Sequence, residues 1–471
     1  MKLANWINGV PCDTPDSMGN INPRDGSEIN RIPITSTSEV NRAVEAAAGA
    51  WANWAKKTPK YRAEILNKIA DGIQERFEEF VQAEATDTGK PAALARSVDI
   101  PRSIDNFRFF AGEIQHQTSA FHPMEGAINY TLRRPVGVAA LITPWNLPLY
   151  LLTWKVAPAL GMGNAVVVKP SEITPTTATL LGEVCKSAGL PDGLYNLVHG
   201  PGNPTGAALV EHPKVNAVSF TGGTETGRRV AAAAAPQFKK LSLELGGKNP
   251  TIVFADSDIE KAAIGAARAA FLNQGQICLC GSRILVERSI SERFTALVVA
   301  EAQRLKETLG SLISTDHRDK VHGYVEAAKA DGGKVLCGGK PFGPESGAFY
   351  EPTVISGLDH SCKTIQEEIF GPVVTINTFN NEAEATHLAN DVQFGLAASI
   401  WTKDLEKAHR VAANVESGMV WVNTWLKRDL RVPFGGLKQS GVGREGGTWS
   451  LSFYSEPRNI CIAISDEVEG E

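Results

Sequence analysis

The sequence has no excess of positive charge: 47 lysines and arginines stand against 52 aspartates and glutamates, a formal net charge of −5. That balance removes the electrostatic case for binding nucleic acid or an anionic membrane. No apolar run is long enough to span a bilayer; the longest, Leu147–Leu160, is broken by Lys155 and two prolines. The opening residues, M-K-L-A-N-W-I-N-G, lack the apolar core of a secretory signal, so none is expected. Cysteine is sparse: seven residues, at 12, 185, 278, 280, 337, 362 and 461, with no C-x-x-C pair and no histidine cluster. Neither a zinc site nor a disulfide framework is expected, and the thiols are read as free in a reducing, cytoplasmic compartment. Internal repeats and low-complexity tracts are also missing.

What is there is an ordinary globular composition over 471 residues, 43% hydrophobic and 21% charged, enough for two or three domains. Ile21–Ile34 alternates around an Asp-Gly turn and predicts a hairpin. Helices are expected over Ser38–Trp54, opening on a serine cap, over Lys60–Asp87 as one long amphipathic element, and over Ile100–His116 with Pro101 in its first turn. Phe121–Arg134 reads as an exposed extended segment. From there short apolar runs, Val136–Ile142, Ala165–Val168, Asn196–Val198 and Ala217–Phe220, alternate with helical stretches at Tyr150–Leu160, Thr174–Ala188 and Pro204–Glu211. Such alternation predicts a parallel sheet covered on both faces. A second set follows: Thr251–Ala255, a helix at Ile259–Leu272, Ile284–Glu287, a helix at Ile290–Glu307, Val373–Phe379, Ala398–Thr402 and Met419–Val422. Ser452–Ile464 reads as strand and Asp466–Glu471 as a frayed acidic tail.

The chemistry concentrates in loops at strand ends, where parallel sheets bind ligands. Asn273–Arg283, N-Q-G-Q-I-C-L-C-G-S-R, puts Cys278 on a short loop between a helix and a strand, rigid yet reachable. A lone cysteine is more often a small buried hydrophobe. Asn146, in T-P-W-N-L, suits an oxyanion donor or a turn residue. Lys169 and Glu172, in V-K-P-S-E, suit ribose hydroxyls or local capping. Ser219–Gly227, S-F-T-G-G-T-E-T-G, runs from strand through glycines into a helix, where backbone N–H groups meet a phosphate, although it is not the G-x-G-x-x-G fingerprint. Glu244, among leucines in L-S-L-E-L-G-G-K, should have a raised pKa, as a general base requires, or be a satisfied buried carboxylate.

These loops, with Q-E-E-I-F-G-P (Gln366–Pro372) and P-F-G-G-L-K-Q-S-G-V-G-R-E-G-G (Pro433–Gly447), occur in one order over nearly the full chain. Together they resemble the NAD(P)-dependent aldehyde dehydrogenases. The resemblance implies an α/β fold of two doubly wound parallel-sheet domains, a Rossmann-like cofactor domain and a catalytic domain, plus a small β oligomerisation arm. The expected bounds are residues 1–114 and 135–245 for the NAD-binding domain, 246–450 for the catalytic domain, and 115–134 with 451–471 for the arm. It implies Cys278 as nucleophile, Asn146 and the Cys278 N–H as oxyanion hole, Glu244 as base, and Lys155 with Glu445 in proton traffic. NAD is the implied cofactor. Lys169 and Glu172 would take its adenine ribose, Glu368 and Phe370 its nicotinamide end, with Ile142, Trp145, Gly222, Gly223 and Gly227 completing the site. NAD is expected over NADP because Glu172 repels a 2′-phosphate. Glu244 points to a free acid as product rather than a coenzyme A ester. Two departures stand out: Gly223 replaces the family's usual serine, and Leu305–Ile313 is shorter than the usual G-D-P-containing connection.

Within the family, Ile100–Phe110, P-W-N-L-P-L-Y-L-L-T-W-K and I-C-L-C-G-S-R are most similar to the 2-aminomuconic semialdehyde dehydrogenases. The 2-hydroxymuconic enzymes are close behind, with betaine and retinal aldehyde enzymes further off. The implied partner is an aldehyde carrying a carboxylate, handled by a homodimer or homotetramer. Arg102, Arg428 and Phe434 fall where the family lines its aldehyde tunnel. An inward arginine there calls for an anionic ligand. The plain alternative is pairing with Asp99, Asp105 or Asp429 at the surface, and Arg431 is a substitute for Arg428.

Overall fold

The fold is described from a computed structural model, which covers residues 3–464; the tail expected at Asp466–Glu471 lies outside them. Two sheets organise the chain. In the first, five parallel strands run in the order Tyr195–Leu197, Ala165–Lys169, Val138–Ile142, Ala217–Thr221, Lys240–Glu244. Apolar residues, chiefly valine and alanine, dominate Val138–Ile142 and Ala165–Lys169, and every residue of those two strands is buried, as helices on both faces require. The strand order reverses between Val138–Ile142 and Ala217–Thr221. Loops leaving adjacent strand ends diverge at such a reversal and open a crevice. Thr143–Leu147 and Gly222–Gly223 leave from those two strand ends.

The second sheet runs Lys334–Cys337, Thr353–Ser356, Val373–Phe379, Arg283–Glu287, Pro250–Val253, Ala397–Trp401, Met419–Val422, parallel except for its first pair. The chain then returns to the first sheet, where Gly441–Val442 pairs antiparallel beside Glu244. A third sheet of three strands stands apart: Phe121–Met124, Ala127–Pro135 and Ser455–Ala463. No helix among the described residues is long and apolar enough to cross a membrane.

Several expected elements shift. The hairpin starts earlier, with Ser17–Ile21 against Glu28–Pro33 and Asp25-Gly26 in its turn. The first helix is Thr37–Ala55, capped by Ser36 in a reciprocal box with Glu39. The long helix expected over Lys60–Asp87 is two, Pro59–Glu75 and Phe77–Thr88. Arg76 leaves helical backbone between them, and its guanidinium bridges Glu79 and Glu183. The short connection after Leu305 is a single turn, Lys306–Thr308, and then Gly310 packs against the backbone of Gly89, where a Cβ would meet the Gly89 carbonyl at 2.2 Å. The unexpected helix Thr315–Ala330 follows, capped by Ser314.

Candidate active site

Cys278 is positioned by backbone that few residues adopt. After the helix Ile259–Phe271, Asn273, Gln274 and Gly275 all have positive φ, which turns the chain sharply into the cysteine loop. Gly275 is required there, since a Cβ would sit 2.1 Å from the Gly371 carbonyl oxygen. Asn249, at the start of Pro250–Val253, donates Nδ2 to the carbonyls of Cys278 (2.7 Å) and Cys280 (2.9 Å), and its Oδ1 accepts from Ala397 N–H. The loop is thereby tied to the middle of the second sheet.

Cys278 forms a wall common to two cavities of about 260 Å³ each. One is lined by Asn146, Gly222, Gly223, Glu244, Glu368 and Phe370 with Trp145, His317 and Lys320. The other contains Arg102, Tyr150, Arg428 and Phe434, with Asp99 and Asp105 among aliphatic side chains. A thiol between two separate chambers can meet a different reactant from each side.

Asn146 is buried, lines one cavity together with Cys278, and donates Nδ2 to the Gln276 carbonyl at 2.8 Å, which leaves its second amide hydrogen unengaged among the described residues. The Cys278 N–H makes no hydrogen bond among the described residues. Burial, then the negative charge of Glu244, pushes the Cys278 thiol well above its ordinary value. Cys280 is pushed up to about 12 by burial.

Glu244 ends the strand Lys240–Glu244, with neither carboxyl oxygen hydrogen-bonded. Burial, then Glu445, holds its carboxyl well above the usual range. Gly435 has φ +151° and lies where a Cβ would come within 3.0 Å of Glu244 Oε1, which accounts for a glycine in P-F-G-G. Lys155 donates to Glu445 at 2.6 Å and to Ser219 Oγ at 2.8 Å, all three buried. Phe434 and Glu445 exchange backbone hydrogen bonds, which joins the second cavity to that buried pair.

Glu368 accepts from Gly247 N–H at 2.9 Å, and Gly246 leaves it room, since a Cβ there would meet its carboxylate at 2.3 Å. Phe370, at φ +60°, stands edge-on to Trp145, and His317 Nε2 contacts its carbonyl at 2.7 Å. Gly223 is the N-cap of the helix Thr224–Ala234, with open space where a Cβ would point, and the hydroxyls of Thr221 and Thr224 lack partners. Orphaned hydroxyls at a helix N-terminus fit an anionic, hydroxyl-rich cofactor. Lys169 and Glu172 stand 3.4 Å apart at the end of the strand neighbouring Ile142; none of these three lines either cavity. Gly227 is a packing glycine: its N–H goes to the Gly223 carbonyl and a Cβ would strike Leu245 at 2.5 Å.

The arginines do not make the surface pairs weighed above. Asp99 is buried on Lys90, and Asp429 is held by Arg431 at 2.6 Å, which occupies Arg431 too. Arg428 is sandwiched 4.5 Å from the Trp154 ring and 4.0 Å from the Phe434 ring, with Nε and Nη2 buried and unpartnered. Burial lowers its pKa. Arg102 lies 5.6 Å from the Tyr150 ring and has no ion pair within 4 Å among the described residues.

Sequence reading missed Asn249, His317, Lys320 and Lys90. Their partners are remote in sequence; only Asn249, directly after the L-E-L-G-G-K motif, lay close enough to attract attention. No group of His, Cys, Asp and Glu that would hold a metal ion occurs among the described residues.

The aldehyde dehydrogenase family model matches residues 10–460. A 2-aminomuconic semialdehyde dehydrogenase of Danio rerio is 48% identical over 480 residues, covering 98% of this chain and 98% of its own. A 2-hydroxymuconic semialdehyde dehydrogenase of Pseudomonas sp. (strain CF600) is 48% identical over 484 residues, covering 98% and 100%. Among solved structures, betaine aldehyde dehydrogenase from Staphylococcus aureus in complex with NAD+ aligns with TM-score 0.94 at 37% identity, over 97% of this chain and 94% of that one. An aldehyde dehydrogenase from Bacillus cereus in complex with NAD+ aligns with TM-score 0.96 at 35% identity, over 99% and 97%.

Proposed function

The chain belongs to the aldehyde dehydrogenase family, and on that premise we propose that it oxidises 2-aminomuconate semialdehyde to 2-aminomuconate with NAD. Arg428 carries the choice of substrate: a partly buried guanidinium in the cavity that reaches Cys278, with two of its nitrogens buried and unpaired. Such a group is costly to bury and is relieved by a carboxylate. The same feature disfavours a cationic betaine aldehyde or a long apolar retinal. The 2-hydroxy analogue shares the distal carboxylate and an equally similar relative, so it is the second reading.

The Cys278 thiol gives up its proton to water in the adjoining cavity and, as thiolate, attacks the aldehyde carbon from the arginine-lined side, giving a thiohemiacetal oxyanion. The Asn146 amide and the Cys278 N–H receive the developing oxyanion. Trp145, Glu368 and Phe370, with Ile142, Gly222, Gly223, Lys169 and Glu172, are assigned to holding NAD, and Gly227 to seating the helix behind it. When bound, NAD accepts the hydride of the aldehyde carbon. Glu244 takes a proton from the water that opens the Cys278 thioester, and Lys155, Glu445 and Ser219 form a buried path for proton exchange. Residues up to 114 and 135–245 are assigned to the cofactor domain, 246–450 to the catalytic domain, and the rest to an arm that makes a homodimer or homotetramer. With all seven thiols free, the cytoplasm is the assigned compartment.

Arg428→Ala and Arg102→Ala should each raise KM for carboxylated semialdehydes, by an amount worth roughly 2–5 kcal/mol if the charge pair is desolvated. Hexanal oxidation should change little. Steady-state kinetics on both aldehydes make the test. Equal losses on the two would mean that the arginines hold structure, and the substrate would stand unassigned.

A further inference from the structure

We infer that Lys90 is a positioning residue for the oxyanion site, acting through the main-chain carbonyl of Asn146; the inference rests on the role proposed for Asn146. Lys90, Glu84 and Asp99 are each 0% exposed. The ammonium lies 3.0 Å from Asp99 and 3.8 Å from Glu84, and it donates to the Asn146 carbonyl at 3.1 Å. Glu84 in turn accepts from the Leu149 N–H at 3.3 Å. One buried charge cluster therefore grips Asn146–Leu149 at both ends, just where the chain enters the helix Pro148–Gly161.

Three buried ionisable groups are a poor device for stability alone, since apolar replacements of such clusters are often neutral or better. Here they fix a direction. The Asn146 carbonyl accepts a second bond, from Asn273 Nδ2 at 3.2 Å, so both its lone pairs are engaged and the peptide plane cannot tilt. The side chain of the same residue is held by Gln276. Main chain and side chain are thus pinned independently, and the amide is held at the cavity that Asn146 and Cys278 line together. Asp99 also borders the arginine-lined cavity, so the lysine that orients Asn146 is anchored on the substrate wall.

The experiment compares Lys90→Met and Asp99→Asn, each alone and each combined with Asn146→Ala. The readouts are the rate of the pre-steady-state NADH burst, KM for the aldehyde, NAD binding by fluorescence quenching, and thermal unfolding. Alone, Lys90→Met should slow the burst roughly tenfold to a hundredfold, the cost of misplacing a catalytic donor by about 1 Å. KM and NAD binding should hold. On the Asn146→Ala background neither change should slow the burst further. Equal slowing on both backgrounds, or none on the natural one, overturns the inference and leaves the oxyanion reading intact. An Asn146→Ala enzyme with an unchanged burst removes that reading, and this inference with it. If Lys90→Met does not fold, Asp99→Asn, which keeps the size and loosens the ammonium, decides by the same comparison.

Discussion

Glu244 must lose a proton to act, and its surroundings resist that loss. Burial and the neighbouring Glu445 both favour the neutral acid, while Lys155 and Arg428 only partly oppose them. Because the pKa is raised, the carboxylate fraction grows with pH over a range above that of an ordinary carboxyl. Thioester hydrolysis should therefore accelerate with pH and fade on the acid side. Glu244→Gln should keep a burst of NADH, then turn over slowly with little dependence on pH, and the acyl-enzyme should appear by mass spectrometry. Loss of the burst as well would mean that Glu244 acts earlier, on the Cys278 thiol, whose own pKa is raised in part by this carboxyl. At this scale the sequence was readable where a residue's setting is local. Cys278 lies between Gly275 and Gly281, Glu244 ends a strand just before Gly246 and Gly247, and Asn146 follows closely on the strand Val138–Ile142. Lys90 and Asn249 were not readable, because their meaning lies in a carbonyl more than a turn of sequence away: Lys90 serves Asn146, and Asn249 serves Cys278 and Cys280.

Elements were readable in proportion to their burial. The central strands are short runs of mostly buried, mostly apolar residues, and their expected bounds differ little from those found. Thr315–Ala330 gave no signal, since only Val321, Val325 and Ala328 of its length are buried, yet it brings His317 and Lys320 to the first cavity. The break at Arg76 was hidden because no Gly or Pro adjoins it in the sequence; its guanidinium pairs with Glu183 on another helix. The helix Thr224–Ala234 yields a test of its own. Gly223 caps it at φ −68° and ψ 146°, a conformation open to any residue, with free space around the missing Cβ. Gly223→Ser should be tolerated, with NAD affinity kept and stability raised by roughly a few tenths of a kcal/mol through capping. Gly227→Ala should do the reverse: its Cβ would press Leu245 and push the helix off the strand, raising KM for NAD. Thermal unfolding and NAD titration of the two variants check this. Similar behaviour in both would mean that the helix N-terminus does not hold the cofactor.

For the whole molecule, the arm is the part that a single chain does not explain. A three-stranded sheet with little covering it is marginal in water. Its register sorts the side chains: Phe121 opposes Tyr130, Leu132 opposes Arg458, Tyr130 opposes Ile460, and Ile128 opposes Ile462. Directly opposed residues share a face and alternate ones return to it. Phe121, Ile128, Tyr130, Leu132, Ile460 and Ile462 therefore form one face, and Phe121, Leu132 and Ile462 on it are exposed. Apolar side chains massed on one side of an otherwise wet sheet mark a contact surface. A second copy of the chain is the proposed occupant, in line with the homo-oligomer proposed above. Leu132→Asp with Ile462→Asp would place two carboxylates on that face without touching either cavity. The double variant should sediment as a smaller species than the unaltered enzyme at the same concentration. Its NADH burst per folded active site should persist, since Cys278 and both its chambers lie elsewhere in the chain. If the two proteins sediment alike, the apolar face does not hold the assembly, and the contact between copies has to be sought on another surface.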